Sequence, residues 1–417
     1  MKPRFHLHDQ LAALTYLGRW LVICIAIAIL VGSASAIFLH SMEWATQTRE
    51  ANHWLIWGLP FAGFAVGWLY LKFGSSVEAG NNLLIEEVHQ PKSTVPLRMA
   101  PMVLLGTVVS HLFGASVGRE GTAVQMGGSL ADQLSKPFRL TQEERRTVLL
   151  AGISAGFASV FGTPIAGAVF GLEVVMLGRI RYQSLLPCFI AAILADRVTT
   201  LWGVHHTHYA VASIPTASAL NLTAVVVAGA VFGLAGMVFS KGLQVSGAFI
   251  KQRITYAPLR PLFGGIAIAA VVWFADAWRF AGLGLPSIVQ AFEQPVAPWD
   301  FAAKMGLTIA SLASGFKGGE VTPLFFVGAT LGNALAPLLN LPFPMLAALG
   351  FVAVFSAAAN TPIACTLMAM ELFGAEIGVF AALACSVSYL FSGNTSIYKS
   401  QKPEANKRLL DARHHGN

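Results

Sequence analysis

Two short motifs place a carboxylate where apolar sequence resumes: Gly118-Arg119-Glu120-Gly121-Thr122 and, 200 positions later, Gly318-Gly319-Glu320-Val321-Thr322. Glycines let a backbone turn tightly and expose its N–H groups, and a helix beginning there adds the positive end of its dipole, which together make a seat for a small anion. Thr122 and Thr322 add hydroxyl donors. A carboxylate at the same point competes with the anion, and desolvation favours its protonated form, so anion and proton can trade places. The structural alternative ties Glu120 to Arg119 or makes it a helix cap; inside a membrane an acid is a functional residue by default, which favours the exchange reading. Gly80-Asn81-Asn82, ahead of Leu83-Leu84-Ile85, is a third donor cluster, although an ordinary turn is the commoner role of such a tripeptide.

The elements that position these residues have to cross a bilayer. The chain has 417 residues, 55% of them hydrophobic and 11% charged, with a mean hydropathy of +0.64, against roughly 25% charged in soluble domains. Apolar stretches near the ~20 residues of a membrane span run from Leu17 to Leu39, Trp54 to Phe73, Thr147 to Leu177, Leu222 to Leu243, Leu262 to Ala277 and Ala375 to Leu390. Those around Met99 to Gly118 and Ala302 to Ser314 end in glycine, which predicts helices that break off part-way and are covered by protein. Thr141-Gln142-Glu143-Glu144 reads as a capping box that starts a helix at a polar loop. A charge at the bilayer centre costs at least ~2.5–3.5 kcal/mol, whereas one partly buried helix end contributes about 2 kcal/mol. Several donors must therefore converge on one ion.

Basic residues flank the spans at Lys136 to Arg146 and Lys251 to Arg260, and the net charge of +7 reflects these loops rather than a nucleic-acid surface. Basic sequence at both ends, Met1 to Arg4 and Lys399 to Arg413, places both termini in the cytoplasm by the positive-inside rule. The first apolar stretch is long enough to be retained as a span rather than cleaved as a signal. Cys24, Cys188, Cys365 and Cys385 stand singly in apolar runs and read as packing residues, with no metal spacing and no disulfide framework.

A duplication organises the chain. Ala155, Phe157, Thr163, Pro164, Ile165, Ala166 and Glu173 recur as identical residues 198 positions later, ending at Glu371, in the same order as the two glutamate motifs. Two halves of this kind mark transporters in which broken helices meet at an ion site near the midplane. The division expected is a first repeat over 1–204, an inter-repeat loop over 205–221, a second repeat over 222–398 and a basic cytoplasmic tail over 399–417. Glu173 and Glu371 read as structural residues that close helices.

Other patterns carry less. Gly114 to Gly118 and Gly152 to Gly156 both fit the G-x-S-x-G hydrolase pattern, but a chain with 40 glycines produces such matches and the strand-turn-helix setting is missing. His205, His206 and His208 lie in the inter-repeat loop without cysteine or carboxylate support and read as solvated rather than as a metal site.

At these residues the chain resembles the CLC family of anion channels and anion/proton antiporters over essentially its whole length. Gly118-Arg119-Glu120-Gly121 fits that family's G-R-E-G-P signature, Gly318 to Pro323 its G-x-F-x-P signature, Gly80-Asn81-Asn82 the start of G-S-G-I-P, and Tyr398 its late tyrosine. The resemblance implies an all-α integral membrane protein with a CLC-type fold: two inverted-topology helical repeats with broken and re-entrant helices. It implies a homodimer in a bacterial inner membrane with one anion pathway per subunit and no cofactor. Glu120 would be the gate, and Asn81, Gly118, Arg119, Gly121, Val321, Thr322 and Tyr398 would surround the anion. Asn81 stands for the family's chloride-coordinating serine, Thr122 for its proline, and Glu320-Val321-Thr322 for an apolar Ile-Phe-Ala; these departures resemble the fluoride/proton antiporter branch. Val174 stands where proton-coupled chloride exchangers carry an inner glutamate, so that proton route is expected to be absent, and Glu320, a second acid close to Glu120 by the repeat, is expected to help carry protons or to position the ion instead. The function expected is fluoride export in exchange for protons. The alternatives are a chloride channel or chloride/proton exchanger of the same fold and, more remotely, an intramembrane enzyme using both glutamates.

Overall fold

A computed structural model describes residues 7–403 apart from 178–180, 208, 210 and 212. The basic segment Met1 to Arg4, His208 and the tail beyond residue 403 lie outside the described residues. Sixteen α-helices run in chain order: α1 (Leu7–Ala51), α2 (Leu59–Phe73), α3 (Asn81–His89), α4 (Met99–Leu112), α5 (Glu120–Asp132), α6 (Gln142–Phe161), α7 (Pro164–Glu173), α8 (Leu185–Leu201), α9 (Ala219–Arg253), α10 (Leu259–Phe274), α11 (Leu285–Glu293), α12 (Asp300–Ala313), α13 (Val321–Leu339), α14 (Phe343–Ala359), α15 (Pro362–Phe373) and α16 (Gly378–Phe391). Among the described residues five helical segments are long and apolar enough to cross a membrane, and six shorter apolar helices accompany them. Met176–Leu177 pairs in parallel with Lys402–Pro403.

The duplication appears as two sets of eight helices in the same order. Each set opens with its longest helix, of 45 and 35 residues; the third helices have 9 residues each and the fourth 14 each. Inversion follows from α7 and α15. The Glu371 carboxylate accepts from the N–H groups of Ile165 and Ala166 at the start of α7, and the Glu173 carboxylate accepts from Ile363 and Ala364 at the start of α15. Each helix ends where the other begins, so the two run antiparallel about a two-fold axis lying across them. Both glutamates have the closing role expected, and each cap reaches into the opposite half.

The apolar run Thr147 to Leu177 departs from the single span expected. It divides into α6 and α7 because Gly162 takes a left-handed conformation (φ +70°) and Pro164 begins the next helix, while proline also disfavours a helical conformation at Thr163. The glycine-interrupted runs behave as expected, with α4 stopping before Gly114 and α12 before Gly315, both at positive φ. α1 extends well past Leu17–Leu39 at both ends. The capping box is present, with the Thr141 hydroxyl accepting from Glu144 N–H at 3.3 Å and the Glu144 carboxylate accepting from Thr141 N–H at 2.8 Å.

Small residues let these helices approach closely, the usual device where lipid provides no hydrophobic drive. A side chain on Gly127 would strike the Gly152 carbonyl between α5 and α6, and one on Gly328 would strike the Gly350 carbonyl between α13 and α14. The four cysteines are buried and free. An ion pair from Arg19 of α1 to Glu144 (2.7 Å), another from Arg145 to Glu87 (3.0 Å) and a hydrogen bond from Ser400 to Glu86 (2.7 Å) draw the first half of α1, the first turn of α6, α3 and the end of the described chain to one side of the molecule. The beginning of α6 is clamped there, since Arg145 also binds Asp132 at 2.8 Å and the Ser93 carbonyl at 2.6 Å.

Candidate functional site

The starts of α5 and α13 meet head to head. Gly118 and Gly319 exchange backbone hydrogen bonds, Gly118 N–H to Gly319 O at 2.5 Å and Gly319 N–H to Gly118 O at 2.7 Å, in an antiparallel bridge. Glycine is required because a Cβ on Gly118 would lie 2.9 Å from the Gly319 oxygen and 2.9 Å from Pro323 Cδ. The bridge brings two helix N-termini and their free N–H groups to one place, the convergence of positive ends that an anion in the membrane requires.

The register differs from the motif alignment. Gly118 faces Gly319 rather than Gly318, α5 starts at Glu120, and α13 starts at Val321 with Glu320 as its cap. In the two-fold arrangement Glu120 therefore matches Val321, and Glu320 matches Arg119. The glutamates are neighbours in space without being symmetry equivalents, because the helices and seven-residue loops on either side repeat at a spacing of 201 residues whereas Glu120 and Glu320 lie 200 apart.

Glu120 is 1% exposed, and its carboxylate sits on the start of α13. Oε2 accepts from Thr322 N–H at 3.0 Å and from Arg119 N–H at 3.2 Å. Oε1 accepts from the Thr322 hydroxyl at 2.5 Å and from Arg119 Nε at 3.4 Å. Four donors thus converge on one carboxylate, and Thr322 supplies two of them. Charge-assisted hydrogen bonds of this type contribute roughly 1.5–3 kcal/mol each, which offsets the loss of hydration. The same donors suit any small anion that takes the carboxylate's place.

Around this seat the other expected residues divide. Asn81 begins α3 after Gly80, which has φ +57°. A Cβ built on Gly121 would lie 3.2 Å from Asn81 Nδ2 and 3.5 Å from Glu320 Oε2, so the two side chains converge over Gly121. Asn81 Oδ1 and Glu320 Oε2 are both buried without a hydrogen-bond partner among the described residues. Tyr398 is buried within electrostatic reach of Glu320 and Glu120. Val321 is buried in the first turn of α13, and Arg119 contributes its N–H and guanidinium to Glu120. Thr122 faces away, sharing a hydrogen bond of 2.7 Å with Thr107.

Several residues at the site escaped the motif reading. A cavity of about 20 Å³ adjoins Glu120 and Thr322 and is lined by Arg119, His206, Tyr209 and Phe161, with a stacked pair, Phe325 and Phe351, behind them at 3.8 Å between ring centres. It shares Arg119, His206 and Thr207 as walls with a vestibule of about 420 Å³ that is also bordered by Arg49 and Arg279. These residues come from different helices and loops, so no local spacing announces them. Lys304 did carry a signal, as a lone cation in an apolar run; it is fully buried and donates to the Phe280 and Gly282 carbonyls at 2.9 and 2.7 Å. Among the described residues no group of three metal-ligating side chains occurs, and of the loop histidines His208 lies outside them.

The sequence matches the family described as voltage gated chloride channel over residues 62–393. It is 60% identical over 405 residues to a protein of Pseudomonas syringae pv. tomato named chloride/fluoride channel protein, covering 96% of this chain and 90% of that one. Its fold superposes on a crystal structure described as a CLC-type fluoride/proton antiporter with a TM-score of 0.90 and 34% identity, covering 93% of this chain and 98% of the other. A slow cyanobacterial Cl⁻/H⁺ antiporter shares the fold with a TM-score of 0.78 at 21% identity, over 90% and 94% of the two chains.

Proposed function

The chain belongs to the voltage gated chloride channel (CLC) family, and from that premise we propose that it exports fluoride from a bacterial cytoplasm in exchange for protons. It is a membrane transport protein, and the family assignment sets the enzyme reading aside. The observation that carries the proposal is the seat of Glu120: a carboxylate holding the Thr322 N–H and hydroxyl at the start of α13 occupies the place where those donors would hold an anion. Protonation removes the carboxylate's claim on these donors and admits the anion; departure of the anion lets the deprotonated side chain return. One site then alternates between two occupants, which is the elementary step of exchange.

Fluoride is favoured over chloride by the donor set and by the fluoride/proton antiporter whose fold this chain shares. A small, strongly hydrated anion needs short hydrogen bonds to replace its water, and the Thr322 hydroxyl and the Asn81 amide are such donors. The structure described as a CLC-type fluoride/proton antiporter points the same way, while the Pseudomonas relative is named for both ions. Gly118, Gly121, Val321 and Tyr398 complete the surroundings of the ion in this reading. Glu320 supplies a second protonation site: once protonated it becomes a donor beside the unpaired Asn81 oxygen. The protein works as a homodimer with both termini cytoplasmic, an orientation supported by Arg19 of α1 and Arg145 of the basic segment 136–146, which gather on the side that carries the end of the described chain.

Purified protein in liposomes, with opposing fluoride and chloride gradients read by ion-selective electrodes, tests the choice of ion. The expected result is fluoride flux well above chloride flux. Faster chloride flux would overturn it.

A further inference from the structure

His206 takes no part in the anion seat, yet it lines both the vestibule and the small cavity beside Glu120. Its ring packs on Gly162 at the end of α6, where an added Cβ would lie 2.5 Å from Cδ2. His206 Nε2 stands 3.5 Å from Asp196 Oδ1 of α8, with the side chains 15% and 11% exposed. Neither atom has a hydrogen-bond partner among the described residues. The cavity between the imidazole and Glu120, at about 20 Å³, exceeds the roughly 10–15 Å³ that one water needs, and Arg119, Thr207, Tyr209 and Thr322 give its wall polar groups.

We propose that His206, held by Asp196, is the proton relay between the vestibule and Glu120. This rests on the exchange reading and adds the route by which the gate is protonated. An imidazolium passes its proton to a water in the small cavity, which gives one of its own to the Glu120 carboxylate. The ring is left neutral and is reprotonated from the vestibule; the reverse sequence releases the proton. Imidazole suits this task because its protonation changes between about pH 5 and 8. The Asp196 carboxylate, 3.5 Å from Nε2, lies close enough to face the positive charge that the ring carries in transit.

The charged groups facing His206 set the direction of the electrostatic bias. Asp196 comes from α8, while His205 adjoins His206 in the same loop. From α1 the vestibule receives His40, Glu43, Arg49 and Glu50, from the turn before α11 Arg279, and from the start of α5 Arg119 and Glu120. Arg49, Arg119 and Arg279 are each paired with an acid, Glu50, Glu120 and Asp300 respectively, which leaves Asp196 as the carboxylate nearest the imidazole.

The test uses full-length protein in fluoride-loaded liposomes, with potassium and valinomycin holding the voltage, and reads fluoride efflux and proton uptake together. His206→Gln keeps a hydrogen-bonding side chain that does not titrate. Proton uptake is expected to fall roughly 10-fold or more and to lose its dependence on vestibule-side pH, with fluoride binding measured by calorimetry unchanged. Asp196→Asn lowers the rate less, and imidazole added on the vestibule side restores uptake in His206→Ala. Wild-type rates and pH profile in His206→Gln, or no imidazole rescue of a monodisperse His206→Ala, would overturn the relay. If His206→Gln does not fold, Asp196→Asn decides: an unchanged pH profile refutes the proposal. Wild-type protein that moves fluoride without protons would overturn the exchange reading itself, an outcome distinct from coupled wild type with an equally fast His206→Gln.

Discussion

Substituting Glu120 by glutamine replaces one carboxylate oxygen with an amide nitrogen at nearly constant shape. The seat presents donors: Thr322 N–H and hydroxyl at 3.0 and 2.5 Å, and Arg119 N–H at 3.2 Å. A carboxamide offers one acceptor, and its NH₂ group must face a donor. Hydrogen bonds to a charged group contribute about 1.5–3 kcal/mol against about 0.5–1.5 for neutral ones, so the two Thr322 bonds lose roughly 2 kcal/mol. Removing the negative charge from the helix end costs about 1 kcal/mol more. The total of about 3 kcal/mol is a shift of roughly 100-fold in seat occupancy. Titration calorimetry on purified E120Q should therefore show fluoride binding tightened by up to about 100-fold, because its competitor has left. In liposomes the same variant should move no protons with fluoride. Unchanged fluoride affinity together with wild-type proton coupling would refute the reasoning.

Further outcomes follow from the same geometry. E320Q removes the ionisable group beside Asn81 and should slow fluoride-driven proton uptake by roughly 10-fold; initial rates equal to wild type would assign Glu320 to packing. E371Q and E173Q each weaken two bonds to the start of a helix in the opposite half, and each should cost about 1.5–3 kcal/mol in detergent unfolding, while coupling per folded molecule stays at the wild-type ratio. G118A drives a Cβ against the Gly319 oxygen and should cost about 1–3 kcal/mol with loss of flux in both ions, measured on protein that retains its helical circular dichroism.

Much of the fold is legible in the sequence because its determinants are local. Glycines mark where α4 and α12 stop, Thr141 and Glu144 mark the start of α6, and the recurring Thr-Pro-Ile-Ala and Glu positions reveal two halves. The break at Gly162-Thr163-Pro164 is equally local, yet it lies hidden in a continuous apolar run, since hydropathy does not register a left-handed glycine. Glu120, Thr322 and Asn81 were legible through short motifs. The relation of the glutamates was less so: counting residues makes Glu120 and Glu320 a pair, whereas the Gly118–Gly319 bridge shifts the symmetry by one. His206, Asp196 and Arg49 come together only through tertiary packing of α1, α8 and a connecting loop, and their separation in the chain hides them.

The central claim is that Glu120 lets a proton and an anion use one seat in turn. The most direct measurement is simultaneous recording of fluoride and pH outside fluoride-loaded liposomes as the ion runs down its gradient. The account predicts proton uptake locked to fluoride efflux in a fixed ratio, abolished in E120Q. Fluoride leaving with no accompanying proton movement in the wild-type protein would contradict it.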